Sequence, residues 1–241
     1  MSLCKVVSAL LVGIIPLLAV GQSTNGASMY KVIGNINGLS EGTKMYLIDG
    51  SKRKVIDSAM VKNGQFIIDG HLSEPAHIYL HAGKGQASKK LADILLDNRT
   101  VYVKGTKAEY DSVAVSGSDI DQQWKDWLKD DQRIGYQRYQ VRKVYETLMS
   151  KSDTVNAHAL KKVMDEMQSY RVDLLKTYVK RYHDTGAGAA LPNLCTLGEY
   201  LTKADYSEMY RTLSPAWQQS HFGREILAEA SRKANASNGS R

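Results

Sequence analysis

His77 and His81 lie four residues apart with Tyr79 midway between them. In an extended strand, residues of equal parity face the same way, so both imidazoles and the phenol share one surface. Joined by His71 or Glu74, that pair is the best metal candidate in the chain, because zinc takes three or four N, O or S ligands at about 2 Å. The spacing matches no zinc signature, and His158, His183 and His221 are scattered along the sequence. No metal and no other cofactor is therefore expected. Cys195 sits in Leu194-Cys195-Thr196-Leu197, within a stretch that reads as helix. A reactive thiol needs an exposed, electropositive setting that lowers its pKa. Apolar and neutral neighbours point instead to a buried structural cysteine. Serines, histidines and acids are plentiful, but no G-x-S-x-G elbow marks a nucleophile. The run Gly83-Lys84-Gly85-Gln86-Ala87-Ser88-Lys89-Lys90 has the composition of a phosphate loop without its spacing, and it joins two strands rather than opening a helix. No catalytic residue is expected from these patterns.

The elements that would hold these residues change character near Gly117. From Tyr30 to Ser116 the chain reads as about eight short strands separated by closely spaced turn residues. Asn63-Gly64, between Val55–Val61 and Gln65–Ile68, supplies the two positive φ angles of a type I′ hairpin. Beyond Gly117, Ile120, Trp124, Trp127, Ile134, Val141, Tyr145 and Leu148 fall on one helical stripe. Asp131 and Arg138 fill its two remaining positions, too far apart to pair within a turn, and are expected to find partners on a second helix or to mark where the stripe surfaces. That second helix, capped by Ser152 or Asp153, presents Leu160, Val163, Met167, Tyr170, Leu174 and Tyr178 as its apolar face. A third helix is expected from Pro192 to Leu201, a fourth from Tyr206 to Leu213, and a last one from Ser214-Pro215 to about Ala230. The fold class is thus segregated α+β: an antiparallel β-sandwich or partly open barrel over 30–118, an α-helical bundle over 119–232, and a disordered tail over 233–241.

The 241 residues, 43% hydrophobic and 24% charged, suffice for one or two domains with real cores. The first 21 residues read as a cleavable signal peptide: Lys5, an apolar run from Val6 to Val20, then Ala19-Val20-Gly21. That run is short for a bilayer-spanning helix, which needs about 20 residues. Cleavage would leave Cys195 without a second thiol, so no internal disulfide is expected. The net charge is +7, of which Lys5 supplies one. In an exported chain this balance suits an acidic partner or an anionic envelope surface rather than nucleic acid, and a solvated basic surface is the plainer explanation.

The segment Val55-Ile56-Asp57-Ser58-Ala59-Met60-Val61-Lys62-Asn63-Gly64-Gln65-Phe66 resembles the core of an exported β-rich family, domain of unknown function 4369. Gly34-Asn35-Ile36-Asn37-Gly38-Leu39, Gly42, Tyr46-Leu47, Gly70, Pro75 and Gly117-Ser118 agree with it, over roughly residues 30–118. Ser220-His221-Phe222-Gly223 is similar to an "S..G" step of the helical region that follows the domain in larger relatives. In many of those a thioredoxin-like domain comes next, and the resemblance then implies an envelope thiol–disulfide oxidoreductase. Exchange needs a second thiol to resolve the mixed disulfide, and this sequence contains no C-x-x-C, so that activity does not carry over. The expectation is a non-enzymatic envelope binding or interaction module with a protein partner. Two alternatives stay open: an accessory half of a redox system acting with a separate thioredoxin-like protein, and a small-ligand or metal-binding β domain.

Overall fold

The computed structural model describes residues 28–83 and 88–238. The stretch read as a signal lies outside these residues. Eight strands come first: β1 (Tyr30–Ile36), β2 (Lys44–Asp49), β3 (Lys54–Met60), β4 (Gln65–Gly70), β5 (Ala76–Ala82), β6 (Lys89–Leu96), β7 (Thr100–Gly105) and β8 (Val113–Ser116). They form two four-stranded sheets, ordered β4-β1-β7-β8 and β3-β2-β5-β6. Alternation sends Tyr30, Val32 and Ile36 of β1 and Met45 and Leu47 of β2 into a shared core with Phe66, Ile78, Leu80, Val101 and Val103. One pairing departs from the antiparallel expectation. β1 lies parallel to β7, Lys31 opposite Thr100 and Ile36 opposite Gly105. The intervening strands of the other sheet provide the crossover that parallel neighbours require.

The hairpin turn forms as its sequence dictates. Asn63 and Gly64 have φ of 51° and 72°, and Lys62 and Gln65 exchange backbone hydrogen bonds of 2.8 and 3.0 Å around them. A Cβ on Gly64 would meet nothing within 4 Å, so substitution there costs backbone strain alone. Gly64→Val is expected to destabilise by about 1–2 kcal/mol. An unchanged urea midpoint would show that the turn relaxes at no cost.

Six helices follow: α1 (Asp119–Ser150), α2 (Thr154–Arg181), α3 (Gly186–Leu194), α4 (Lys203–Thr212), the single turn α5 (Pro215–Gln218) and α6 (His221–Asn238). Ser118 caps α1 and Asp153 caps α2. Ile120, Trp124, Trp127 and Ile134 are buried as the α1 stripe demands. The α2 face differs from the expected one. Ala157, Met164, Gln168, Leu175, Tyr178 and Val179 turn inward, while Val163 and Tyr170 are 40% and 57% exposed. Polar anchors set this rotation: Arg171 forks onto Asp131 at 2.7 and 2.8 Å, and Arg138 donates to the Met164 carbonyl at 3.2 Å.

Three helix boundaries also move. α3 starts at Gly186, where the Thr185 hydroxyl caps it, and Pro192 falls in its last turn rather than at its start. The helix opened by Pro215 stops after Gln218. Ser220 then accepts the Gly223 amide at 3.2 Å and begins α6. A Cβ on Gly223 would lie 2.4 and 2.3 Å from the carbonyl oxygens of Trp217 and Gln218. The Ser220–Gly223 step is thus a cap followed by a close backbone approach. α6 runs on to Asn238, through residues expected to be a disordered tail, because the stretch from 233 to 238 holds no proline or glycine before Gly239. No helix among the described residues is long and apolar enough to cross a membrane.

Candidate functional site

β5 places Ile78, Leu80 and Ala82 in the core and His77, Tyr79 and His81 on the outer face of its sheet, half-buried. The three rings form a row, with centroids 4.9 Å apart for His77–Tyr79 and 6.4 Å for Tyr79–His81. The shared face read from the sequence is therefore real. The ligand set is not assembled. His71 bonds the Ser28 carbonyl, His81 Nδ1 sits 2.9 Å from the Ser88 hydroxyl, and Glu74 is taken by His221. Among the described residues, no three His, Cys, Asp or Glu side chains gather so as to hold a metal ion.

What surrounds the row is aromatic and cationic. Arg53 and Lys90 sit over the Tyr79 ring at 5.1 and 4.6 Å, Lys90 also over Tyr110 at 4.9 Å, and Lys44 over Tyr46 at 5.4 Å. Cations over aromatic faces are held by the ring quadrupole, at about 0.5–1 kcal/mol each where exposed. Asp93 of β6 lies among them. It accepts from Tyr110 at 2.5 Å, pairs with Lys90 at 2.8 Å and has His77 Nε2 3.3 Å away, off the line of a hydrogen bond. Burial disfavours the ionised form of Asp93, but His77, Lys90 and Tyr110 outweigh it and hold the carboxyl well below the usual range. Burial and the adjacent carboxylate push the Tyr110 phenol up. Burial, then Lys90, lowers the His81 pKa, with Asp93 opposing. Arg53, Asp93 and Tyr110 escape the sequence reading, and Lys90 enters it only as the end of the Gly83–Lys90 run, because the four come from three separate segments; the register of β5 against β6, Tyr79 opposite Asp93, brings Lys90 and Asp93 beside the row.

The helical region grips this sheet at one end. Trp124 of α1 stacks edge-on against His77 at 5.2 Å. The fully buried Asp121 accepts the Leu95 amide at 2.9 Å and pairs with Lys125 at 2.5 Å. On the far side of His77, Glu74 accepts the His221 amide at 2.7 Å and contacts its imidazole at 2.9 Å. The amide bond leads, burial opposes and the imidazole assists in lowering the Glu74 pKa. A cleft of about 580 Å³ opens there, lined by Asp49, Lys52, Glu74, His77, His221 and Arg224.

Cys195 is half-buried and follows α3 rather than lying within a helix. Its Sγ points at the Pro192 carbonyl, 3.3 Å away. Burial pushes the thiol up to about 11. At pH 8, native Cys195 is expected to react on the order of a hundredfold more slowly with a thiol reagent than after unfolding. Equal native and unfolded rates would reveal an activated thiol.

The model of a domain of unknown function, DUF4369, matches residues 30–124. These residues form a DUF4369 domain, which runs past β8 into the first turns of α1 and ends on Trp124, the residue seated on His77. No curated protein matches the chain.

Proposed function

We propose that this chain is a non-enzymatic interaction module of the bacterial cell envelope, delivered there by its N-terminal apolar segment. The observation that carries the reading is the outer face of the β3-β2-β5-β6 sheet, where Tyr46, Tyr79 and Tyr110 are overlain by Lys44, Arg53 and Lys90. Aromatic rings and arginine are the side chains enriched where proteins bind one another. The α1 and Glu74 contacts hold that face at its His77 end, so it meets a partner already ordered there, which limits the entropy lost on binding. Delivery is supported by the run from Val6 to Val20 and the small residues Ala19 and Gly21. A raised Cys195 pKa speaks against redox chemistry by this chain's own thiol.

In-cell photocrosslinking from position 81, beside the tyrosine row, tests the reading. It should trap a discrete protein in the envelope fraction, and Arg53→Glu with Lys90→Glu should abolish that adduct while the thermal midpoint moves little. An adduct that survives both reversals would place recognition elsewhere and overturn the assignment to this face.

A further inference from the structure

The hairpin at Asn63-Gly64 has a second consequence. Its strands do not continue as a pair: β3 becomes the terminal strand of one sheet and β4 the terminal strand of the other. Both free edges therefore flank the same side of the sandwich. Where they diverge, a notch of about 370 Å³ opens, lined by Ala59, Met60, Phe66 and Ile67, with Lys62 and Gln65 at its hairpin end. Met60 and Ile67 are 44% and 48% exposed, and Val55 and Ile56 on the same edge strand 47% and 37%.

Exposed edges usually carry a guard: a proline, a lysine or inward charge, a β-bulge, or very short length. β3 is seven residues long, has no proline, and carries four apolar side chains. Its guards lie in its first half: Lys54, the register shift against β2 at Leu47/Ile48, and Asp57, which accepts the Ser58 amide at 2.7 Å and the Tyr30 hydroxyl at 3.1 Å; from Ser58 to Met60, beside the notch, the edge carries none. The surroundings of the edge are basic, with Lys52, Arg53 and Lys54 at one end and Lys62 at the other. Antiparallel pairing of two copies through β3 would bring the Lys52–Lys54 run of each against Lys62 of the other, which disfavours a second copy as occupant. An extended segment bearing carboxylates meets the opposite balance.

We propose that the β3 edge accepts an extended acidic segment of a partner protein as an added strand, with an apolar side chain of that segment seated in the Met60–Phe66–Ile67 notch. This rests on the reading of the chain as an interaction module and names the partner's chemistry. Strand addition draws affinity from main-chain hydrogen bonds and specificity from pockets for alternate side chains, and the edge and the notch supply one of each.

The probe is a capped peptide of about ten residues alternating valine and glutamate, titrated by fluorescence anisotropy against the purified chain. Saturable binding is expected. It should weaken about tenfold or more with a valine–lysine peptide, with Ile67→Glu, or with Lys52, Arg53 and Lys54 all changed to Glu. It should vanish when alternate peptide amides are N-methylated. Circular dichroism confirms that each variant is folded, which exposed positions permit. No binding at millimolar peptide, binding indifferent to N-methylation or to Ile67→Glu, or a dimer dispersed by Val55→Lys would each overturn the assignment. If the peptide fails while the crosslinked adduct is still lost in the Arg53 and Lys90 reversals, the edge falls and the interaction module stands.

Discussion

Asp131→Ala is expected to cost about 3–5 kcal/mol, a large share of the stability of a chain this size. Asp131 and Arg171 have side chains only 4% and 12% exposed and face each other across α1 and α2. The two parallel N–H···O bonds, 2.7 and 2.8 Å long, balance two charges that have both left water. Arg171 has further contacts with Thr196 at 3.3 Å and Gln168 at 3.5 Å, neither able to replace a carboxylate. With Asp131 gone, an arginine that does not deprotonate is left in a site built for a pair. Replacing both partners, Asp131→Leu with Arg171→Met, should cost much less than the single change, because nothing charged is then stranded. Urea midpoints of the three proteins check this, and a double variant less stable than Asp131→Ala would mean that the pair itself, and not the stranded charge, supplies the stability.

Gly34→Ala should destabilise by about 3 kcal/mol, at the upper end of what overpacking does. Gly34 of β1 is the register partner of Phe66 of β4, and the Phe66 ring lies over the backbone where a side chain would be. A Cβ on Gly34 would sit 1.9, 2.0 and 2.6 Å from three ring atoms. The ring is 2% exposed and enclosed by the sandwich core, so it cannot swing into water to make room. Phe66→Leu in the same chain should recover part of the loss, and a double-mutant cycle should return a coupling of about 1–3 kcal/mol. Additive effects would show that the ring has a second berth.

The strands were legible because their signals are local. Period-two alternation and the turn chemistry of Asn63-Gly64 locate β1 to β8 without reference to distant residues. α2 was legible as a helix but not in its orientation. Val163, Met167, Tyr170 and Leu174 form the more regular apolar series, yet the adjacent face is buried because Asp131 draws Arg171 inward and Arg138 reaches the Met164 carbonyl. Apolar periodicity assigns no value to a buried ion pair. α3 begins ahead of the expected Pro192: its first residues, Gly186 and Gly188, carry little helix propensity, yet Gly188 is required where a Cβ would strike the Tyr182 carbonyl at 2.1 Å. The candidate face was half visible. His77 and His81 share a strand and could be paired by parity. Asp93 and Tyr110 come from other segments, and Glu74 meets His221 across 147 residues.

The parallel pairing of β1 with β7 also fixes the order in which the sandwich can close. β1 occupies an interior position in its sheet, and one of its two neighbours follows it by about seventy residues. A chain synthesised amino end first presents its opening strand with only β4 to receive it, and a lone antiparallel pair is marginal in water. Not until Gly105 has emerged does β1 gain its second flank and the core containing Val32, Phe66 and Val101 become enclosed. Until then that sheet is incomplete, so the topology itself defers compaction.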